Sequence, residues 1–398
     1  MSIVKYSTKL KLGGYILPVI IISQFACTSL WFAGNAVLDD LILKTGLGIQ
    51  IIGYVLSSVQ IGFILGTLVF AILMISDRHS PSKVFLFSSF LAALCNMMLL
   101  LQDISNTTLF VARLGTGFFL AGIYPVGMKI AADYYEQGLG KALGYLVGAL
   151  VLGTSFPYLL QGLELGEDYT VVIKTTSLLA ILGGLSMFFL VPDGPYRKPN
   201  RILKLRMGIR LFGIPAFKKA AYGYFGHMWE LYAFWAFIPY AIKTYNSIHY
   251  KDLPISLWTF VIIGLGGISC AIGGHMALKW GSGKVAMGSL LLSGLLCFAS
   301  PLFFLFPTPL FLVVFCLWGI FVTSDSPQFS TLVASTVPME LKGTALTLVN
   351  CIGFSISIIS IQLLTFLLDV VDTRFIFTFL TIGPIIGLSA MFKGGLNK

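Results

Sequence analysis

Long apolar runs, separated by short polar segments, dominate the chain. About 20 apolar residues, rising 1.5 Å each as a helix, cross the hydrocarbon core of a bilayer. Twelve runs reach that length: 14–38, 49–75, 84–102, 107–132, 141–163, 171–191, 217–242, 256–278, 285–306, 308–334, 343–368 and 374–392. They are numbered spans 1 to 12 below. The alternating pattern of membrane β-strands is missing. The pattern therefore predicts an all-α polytopic membrane protein with twelve transmembrane helices. Span 1 follows Lys5, Lys9 and Lys11, which resembles a secretory leader. Its apolar run is too long for one and carries no clear small-residue cleavage site, so it reads as a retained span.

Composition agrees. Of 398 residues, 57% are hydrophobic and 11% charged, against about 25% charged in soluble domains. So few charges cannot cover the surface of two or three soluble domains. That excludes an ordinary cytosolic enzyme, a disordered chain and a nucleic-acid partner. The net charge of +10 is explained by where the cations lie. With the N-terminus inside, only Lys44, Lys174, Lys243, Lys251 and Arg374 fall in outer loops, and Arg113 and Lys129 fall within spans. All other Lys and Arg face the cytoplasm, so the positive-inside rule places both termini there. The expected location is a plasma (bacterial inner) membrane, crossed many times, with the lipid bilayer as the principal partner. Most acidic loop residues, including Asp39, Asp40, Glu164 and Asp168, fall outside. The six cysteines lie within spans without a C-x-x-C pair and read as packing residues.

The longest polar connection, near 192–216, is basic and divides the chain. It suggests an N-terminal six-helix bundle (1–191), a cytoplasmic central loop (192–216) and a C-terminal six-helix bundle (217–398). The halves echo one another at a nearly constant offset: Gly66 with Gly267, Lys83-Val84 with Lys284-Val285, Pro125 with Pro327, and Gly140-x-Ala142-Leu143 with Gly343-x-Ala345-Leu346. Two such repeats about a basic loop suit a transporter whose halves rock around a midplane site.

These features carry a family resemblance. Gly66 and Asp77-Arg78-His79-Ser80-Pro81-Ser82-Lys83, between spans 2 and 3, resemble the loop motif of the major facilitator superfamily. Leu73 and Ser80 stand where that motif has glycines, while the Asp-Arg pair and a following Lys are kept. Leu109-x-x-x-Arg113-x-x-x-Gly117 resembles a second superfamily motif. Gly226-His227-x-Trp229-Glu230-Leu231-Tyr232 and Asp325-Ser326-Pro327-Gln328 look distantly like the nitrate and cyanate permease-like branch. The glycine signature of nitrate carriers is partial in span 5 and sparse in span 11. The Gly-Pro dipeptide that drug/proton antiporters carry in span 5 is absent. The resemblance implies two six-helix bundles related by pseudo-two-fold symmetry. It also implies alternating access, with Asp77, Arg78 and Lys83 latching one access state.

An ionisable side chain within a span is costly unless it meets a cavity or a partner. Arg113, Lys129, His227, Glu230 and Asp325 are therefore the leading functional candidates. His227 and Glu230 lie about 60° apart on span 7 and share a face. An acid and an imidazole so placed suit proton coupling; a fixed Glu–His hydrogen bond is the alternative. Asp325 precedes Pro327, which frees backbone carbonyls where a cavity can be lined. It reads as a proton or cation acceptor, or as a salt bridge between the halves. The planar fork of Arg113 can hold a carboxylate or oxyanion bidentately; the alternative is a carboxylate partner in another span. Lys129 lies one turn before Asp133, as in a local ion pair or gate latch.

Uncharged polar stripes complete the candidate cavity. Span 1 offers Gln24, Thr28, Trp31 and Asn35, and span 11 offers Thr347, Asn350, Phe354 and Ser357. Tyr124 shares a stripe with Arg113, Gln328 shares a face with Asp325, and Trp229 and Tyr232 flank Glu230. The expected activity is proton-coupled secondary-active transport of a small organic or inorganic anion, most simply symport, by a functional monomer. Proton-driven export of drugs or amphipathic cations is the second reading, and a non-transporting receptor a third. No enzyme motif, zinc-ligand spacing or nucleotide loop is present, so neither cofactor nor metal is expected.

Overall fold

A computed structural model describes residues 14–46, 51–135, 139–164, 168–197 and 205–392. The predicted chain ends, with Lys5, Lys9, Lys11, Lys393 and Lys398, lie outside the described residues. So do Lys198, Arg201 and Lys204 of the predicted central loop. Among the described residues 10 helical segments are long and apolar enough to cross a membrane. They correspond to spans 2–6 and 8–12. Spans 1 and 7 are represented by the shorter apolar helix Ile16–Thr28 and the 35-residue helix Pro215–His249. The fold is all-α, and large apolar side chains such as Ile22, Phe87, Phe189, Ile272, Phe298 and Phe366 face outward. So extensive an apolar exterior suits lipid, not water.

Among the described residues, spans 1, 4 and 10 are broken where the sequence alone suggested continuity, and span 12 passes through a 3-10 stretch at Phe377–Thr381. Span 4 consists of Asn106–Leu120 and Tyr124–Tyr134, and span 10 of Thr308–Ser324 and Ser326–Ser335. Pro125 and Pro327 sit in the first turn of the second segment in each case. A proline lacks the N–H that would continue the ladder, but it is favoured at a helix start. The same break thus recurs in the fourth helix of each half. Span 1 breaks without proline, over residues 29–32, before the short helix Ala33–Ala36. Between spans 3 and 4, the Ser105 hydroxyl caps the helix beginning at Asn106 by accepting from the Thr108 amide at 3.1 Å.

Glycines set how closely helices approach. A Cβ on Gly117 would lie 1.9 Å from the Val59 carbonyl oxygen, and one on Gly62 2.0 Å from that of Leu114. Spans 2 and 4 therefore meet backbone to backbone, as small residues permit. Between the halves, spans 5 and 8 approach at Gly148 and Gly267, where a Cβ on Gly148 would lie 2.7 Å from the Gly267 oxygen. Spans 2 and 11 are joined by hydrogen bonds instead. Ser357 Oγ donates to Gln60 Oε1 at 3.1 Å, and Gln362 Nε2 donates to the Gly53 carbonyl and to Ser57 Oγ at 2.9 Å each. Gly66 and Gly267, equivalent by sequence offset, play different parts. Gly66 abuts the Phe118 carbonyl within the first half, whereas Gly267 abuts span 5 across the halves.

Candidate functional site

Arg113 lies on the first segment of span 4 and is fully buried. Its Nη1 donates to the Leu30 carbonyl at 3.3 Å and to Asn96 Oδ1 at 3.5 Å, and its Nη2 donates to the Trp31 carbonyl. Those carbonyls are free because span 1 unwinds there. Gly34 makes the fit possible, since a Cβ there would lie 2.8 Å from Arg113 Nε. Among the described residues no carboxylate comes within ion-pair distance of the guanidinium, and its Nε has no hydrogen-bond partner. The sequence-based alternative of a carboxylate from another span is therefore not realised. A full positive charge sits among three neutral oxygens.

In the second half, the expected Glu230–His227 pairing gives way to two separate arrangements. His227 Nδ1 lies 2.8 Å from Asp325 Oδ1, both side chains being buried. The two side chains face each other directly, and neither makes a hydrogen bond to any other side chain among the described residues. The break at residue 325 carries Asp325 towards span 7, so this ion pair lies within the C-terminal half and does not join the halves. Glu230 is fully buried one turn along the same helix. It accepts from Trp318 Nε1 at 2.7 Å and from Ser293 Oγ at 2.9 Å. One acid is thus fixed by two aimed donors, while the other faces a single titratable partner.

Between the halves lies a buried aromatic cluster. Trp31 stacks on Tyr232 and Phe354, with ring centroids 5.8 Å and 5.7 Å apart, and Phe63 lies 4.7 Å from Phe354. Trp235 extends the cluster to Phe32, and its indole N–H has no acceptor among the described residues. Tyr124 opens the second segment of span 4, directly after the break. Tyr224 donates to Asn350 Oδ1 at 2.9 Å. Gln24 is buried against Gly127 with its amide unpartnered, and the Asn35 amide oxygen is also unpartnered. Gln328 is buried in the first turn after the span 10 break. Trp229 is not among these groups. Its indole donates to the Phe379 carbonyl at 3.2 Å, towards span 12.

At the face bearing the loop between spans 2 and 3, Lys129 pairs with Asp77 and not with Asp133 as its spacing suggested. Asp133 Oδ2 has no hydrogen-bond partner. Two residues missed in the sequence complete this cluster. Asp193 pairs with Arg197 and accepts from Ser80 Oγ at 2.6 Å, while Arg197 donates to the His79 carbonyl at 2.7 Å. Among the described residues the side chains of Arg78 and Lys83 form no hydrogen bond or ion pair. At the opposite end, Lys243 of span 7 approaches Asp39 at 3.9 Å across the halves. Neighbouring Asp40 accepts from Gln161 Nε2 at 3.0 Å, and burial raises its carboxyl pKa against the opposing effect of that bond.

Tyr224, Asn96 and Trp318 also escaped the sequence reading. A Tyr or Trp in a span is ordinarily packing, and only its partner gives it a role. Tyr224 did carry a signal, lying three residues before His227.

Comparison with known proteins gives a consistent picture. The family profile described as Major Facilitator Superfamily matches residues 19–361. No curated protein sequence matches the chain. Among solved structures, the crystal structure of the human organic anion transporter MFSD10 (TETRAN) superposes with a TM-score of 0.71 at 12% identity, covering 94% of this chain and 98% of that one. At that identity the likeness speaks to the fold.

Proposed function

The chain belongs to the major facilitator superfamily, a family of membrane transporters, and from that premise we propose that it moves a small anion by proton-coupled alternating access. The observation that carries this reading is Arg113: a buried cation held by neutral oxygens and lacking a carboxylate. Burying an ion without a counter-charge is costly. An anionic solute, organic or inorganic, relieves that cost when it displaces the Leu30 and Trp31 carbonyls. Tyr124, Tyr224, Tyr232 and Asn350 supply neutral polar contacts on the opposite side.

His227 and Asp325 carry the coupling proton in this reading. Their contact sets two titratable groups face to face outside any larger side-chain network, so a proton can be exchanged there, whereas Glu230 must release Trp318 and Ser293 first. Basic residue and acidic residues lie in different halves, so protonating the acid lowers repulsion against an arriving anion. That favours symport. The halves rock about the span 5–8 and span 2–11 contacts, and the Asp77–Lys129 pair steadies one access state. Both termini lie in the cytoplasm.

The test is uptake by protein reconstituted in liposomes, using carboxylates and small inorganic anions, with and without an inward proton gradient. Uptake should rise with the gradient. It should fall at least tenfold in Arg113→Gln, and lose its gradient dependence in Asp325→Asn. Wild-type kinetics in Arg113→Gln, or movement of cationic drugs alone, would overturn the anion reading.

A further inference from the structure

The side chain facing Arg113 from span 3 is an amide, and its surroundings dictate that choice. Asn96 is fully buried. Its Nδ2 donates to Ser177 Oγ at 3.0 Å, to Thr176 Oγ1 at 3.2 Å and to the Ile173 carbonyl at 3.4 Å, all on span 6. The hydroxyl protons there are already spent: Thr176 donates to the Val172 carbonyl at 2.8 Å, and Ser177 to the Ala93 carbonyl at 3.5 Å. Three acceptors therefore converge on one arm of residue 96, and a donor must occupy it. The other arm, Oδ1, is left to accept from Arg113 Nη1 at 3.5 Å. An amide meets both demands. A carboxylate of the same shape would set an oxygen against three lone pairs.

We infer that Asn96 is a specificity-determining residue, which holds Arg113 in place with a neutral oxygen and so keeps its charge unspent for an anionic solute. This rests on the reading of Arg113 as the anion-binding group. The Leu30 and Trp31 carbonyls behave alike: they solvate the guanidinium without neutralising it. With Asp at position 96, a fixed counter-charge would stand about one hydrogen-bond length from the guanidinium and compete with the solute for it. Charge–charge attraction in a dry site is strong at that separation, so the competition is decisive. Asn96 thus sets the charge class that the site accepts without touching the solute.

The test uses four variants of the full-length protein: Asn96→Asp, Asn96→Leu, Arg113→Gln and the double variant Asn96→Asp with Arg113→Gln. Each is first checked by gel filtration and thermal melting in detergent. Binding is read by thermal shift, and uptake in liposomes, with benzoate as the carboxylate probe and nitrate as the inorganic one. Asn96→Asp should raise the KM for whichever probe the wild type takes by at least tenfold in protein that gel filtration shows to be folded. Asn96→Leu removes the amide's hold on Arg113 but adds no charge, so its KM should rise less than that of Asn96→Asp, and binding should persist even if the protein melts earlier. The double variant Asn96→Asp with Arg113→Gln should bind no worse than Arg113→Gln alone. Wild-type KM in a folded Asn96→Asp, with Arg113→Gln inactive, would overturn the role of Asn96 alone. So would loss of binding in a folded Asn96→Leu, which would make the residue a structural support; that arm decides the matter even if Asn96→Asp does not fold. Unchanged binding in Arg113→Gln would overturn the reading of Arg113 on which the inference stands.

Discussion

The His227–Asp325 pair makes a quantitative prediction because its two members are unequal when left alone. Both side chains are buried, and Nδ1 and Oδ1 lie 2.8 Å apart. Replacing His227 by Gln leaves a buried carboxylate without its counter-ion, a change that costs about 3 to 5 kcal/mol. Replacing Asp325 by Asn leaves an imidazole, which can be neutral at ordinary pH, so the cost falls to about 1 kcal/mol for the lost contact. If the helices unfold together, 398 residues at about 2.1 cal/mol/K each make 1 kcal/mol worth a little over 1 °C. His227→Gln should therefore melt about 4 to 6 °C below the wild type, and Asp325→Asn about 1 °C below it. The double variant buries no ion. It should melt within about 2 °C of the wild type, so that the second change rescues the first. Loss of the ring contacts of His227 with Tyr224 and Phe329 is common to His227→Gln and the double variant and cancels in the cycle. A thiol-reactive dye can follow melting in detergent, because Cys27, Cys270, Cys297 and Cys351 are free and buried. Additive shifts, or a His227→Gln that melts like the wild type, would refute an ionic pair at this place.

Two further outcomes follow from the contacts described above. Asp77 and Lys129 are both about one-fifth exposed, so their pairing is worth about 1 kcal/mol, or about fivefold in the balance of access states. Asp77→Lys should change the initial uptake rate by about that factor, and adding Lys129→Asp should return it to within twofold; no recovery would remove the pair from gating. Trp229→Phe deletes the bond to the Phe379 carbonyl and should cost about 1 kcal/mol of stability while leaving the KM of uptake unchanged, whereas a severalfold rise in KM would return Trp229 to the solute path.

Much of the architecture was legible because membrane burial writes itself into composition. A helix in lipid must be apolar for about 20 residues, so the spans and the ionisable exceptions could be read directly. The breaks in spans 4 and 10 were half legible, through Pro125 and Pro327, but the break in span 1 carries no such residue. Its cause lies in another helix, where Arg113 takes up the freed Leu30 and Trp31 carbonyls. Partner choice was the least legible property. Helical spacing joined His227 to Glu230 and Lys129 to Asp133, yet the structure joins them to Asp325 and Asp77, 98 and 52 residues away along the chain. Spacing reports which residues share a face of one helix, while the break at residue 325 and the loop after span 2 decide what that face meets.

By itself, then, the sequence determined that this protein lives in a membrane, how many times its apolar runs can cross, and which few charged residues need explaining. Only the tertiary structure decided that Arg113 meets neutral oxygens and no carboxylate among the described residues, that Glu230 is fixed by Trp318 while Asp325 faces His227, and that an amide stands beside the guanidinium at position 96. The reason is physical. Transfer into lipid acts on each residue nearly independently and so leaves its mark in local composition. Pairing of buried charges acts between residues that only packing brings together.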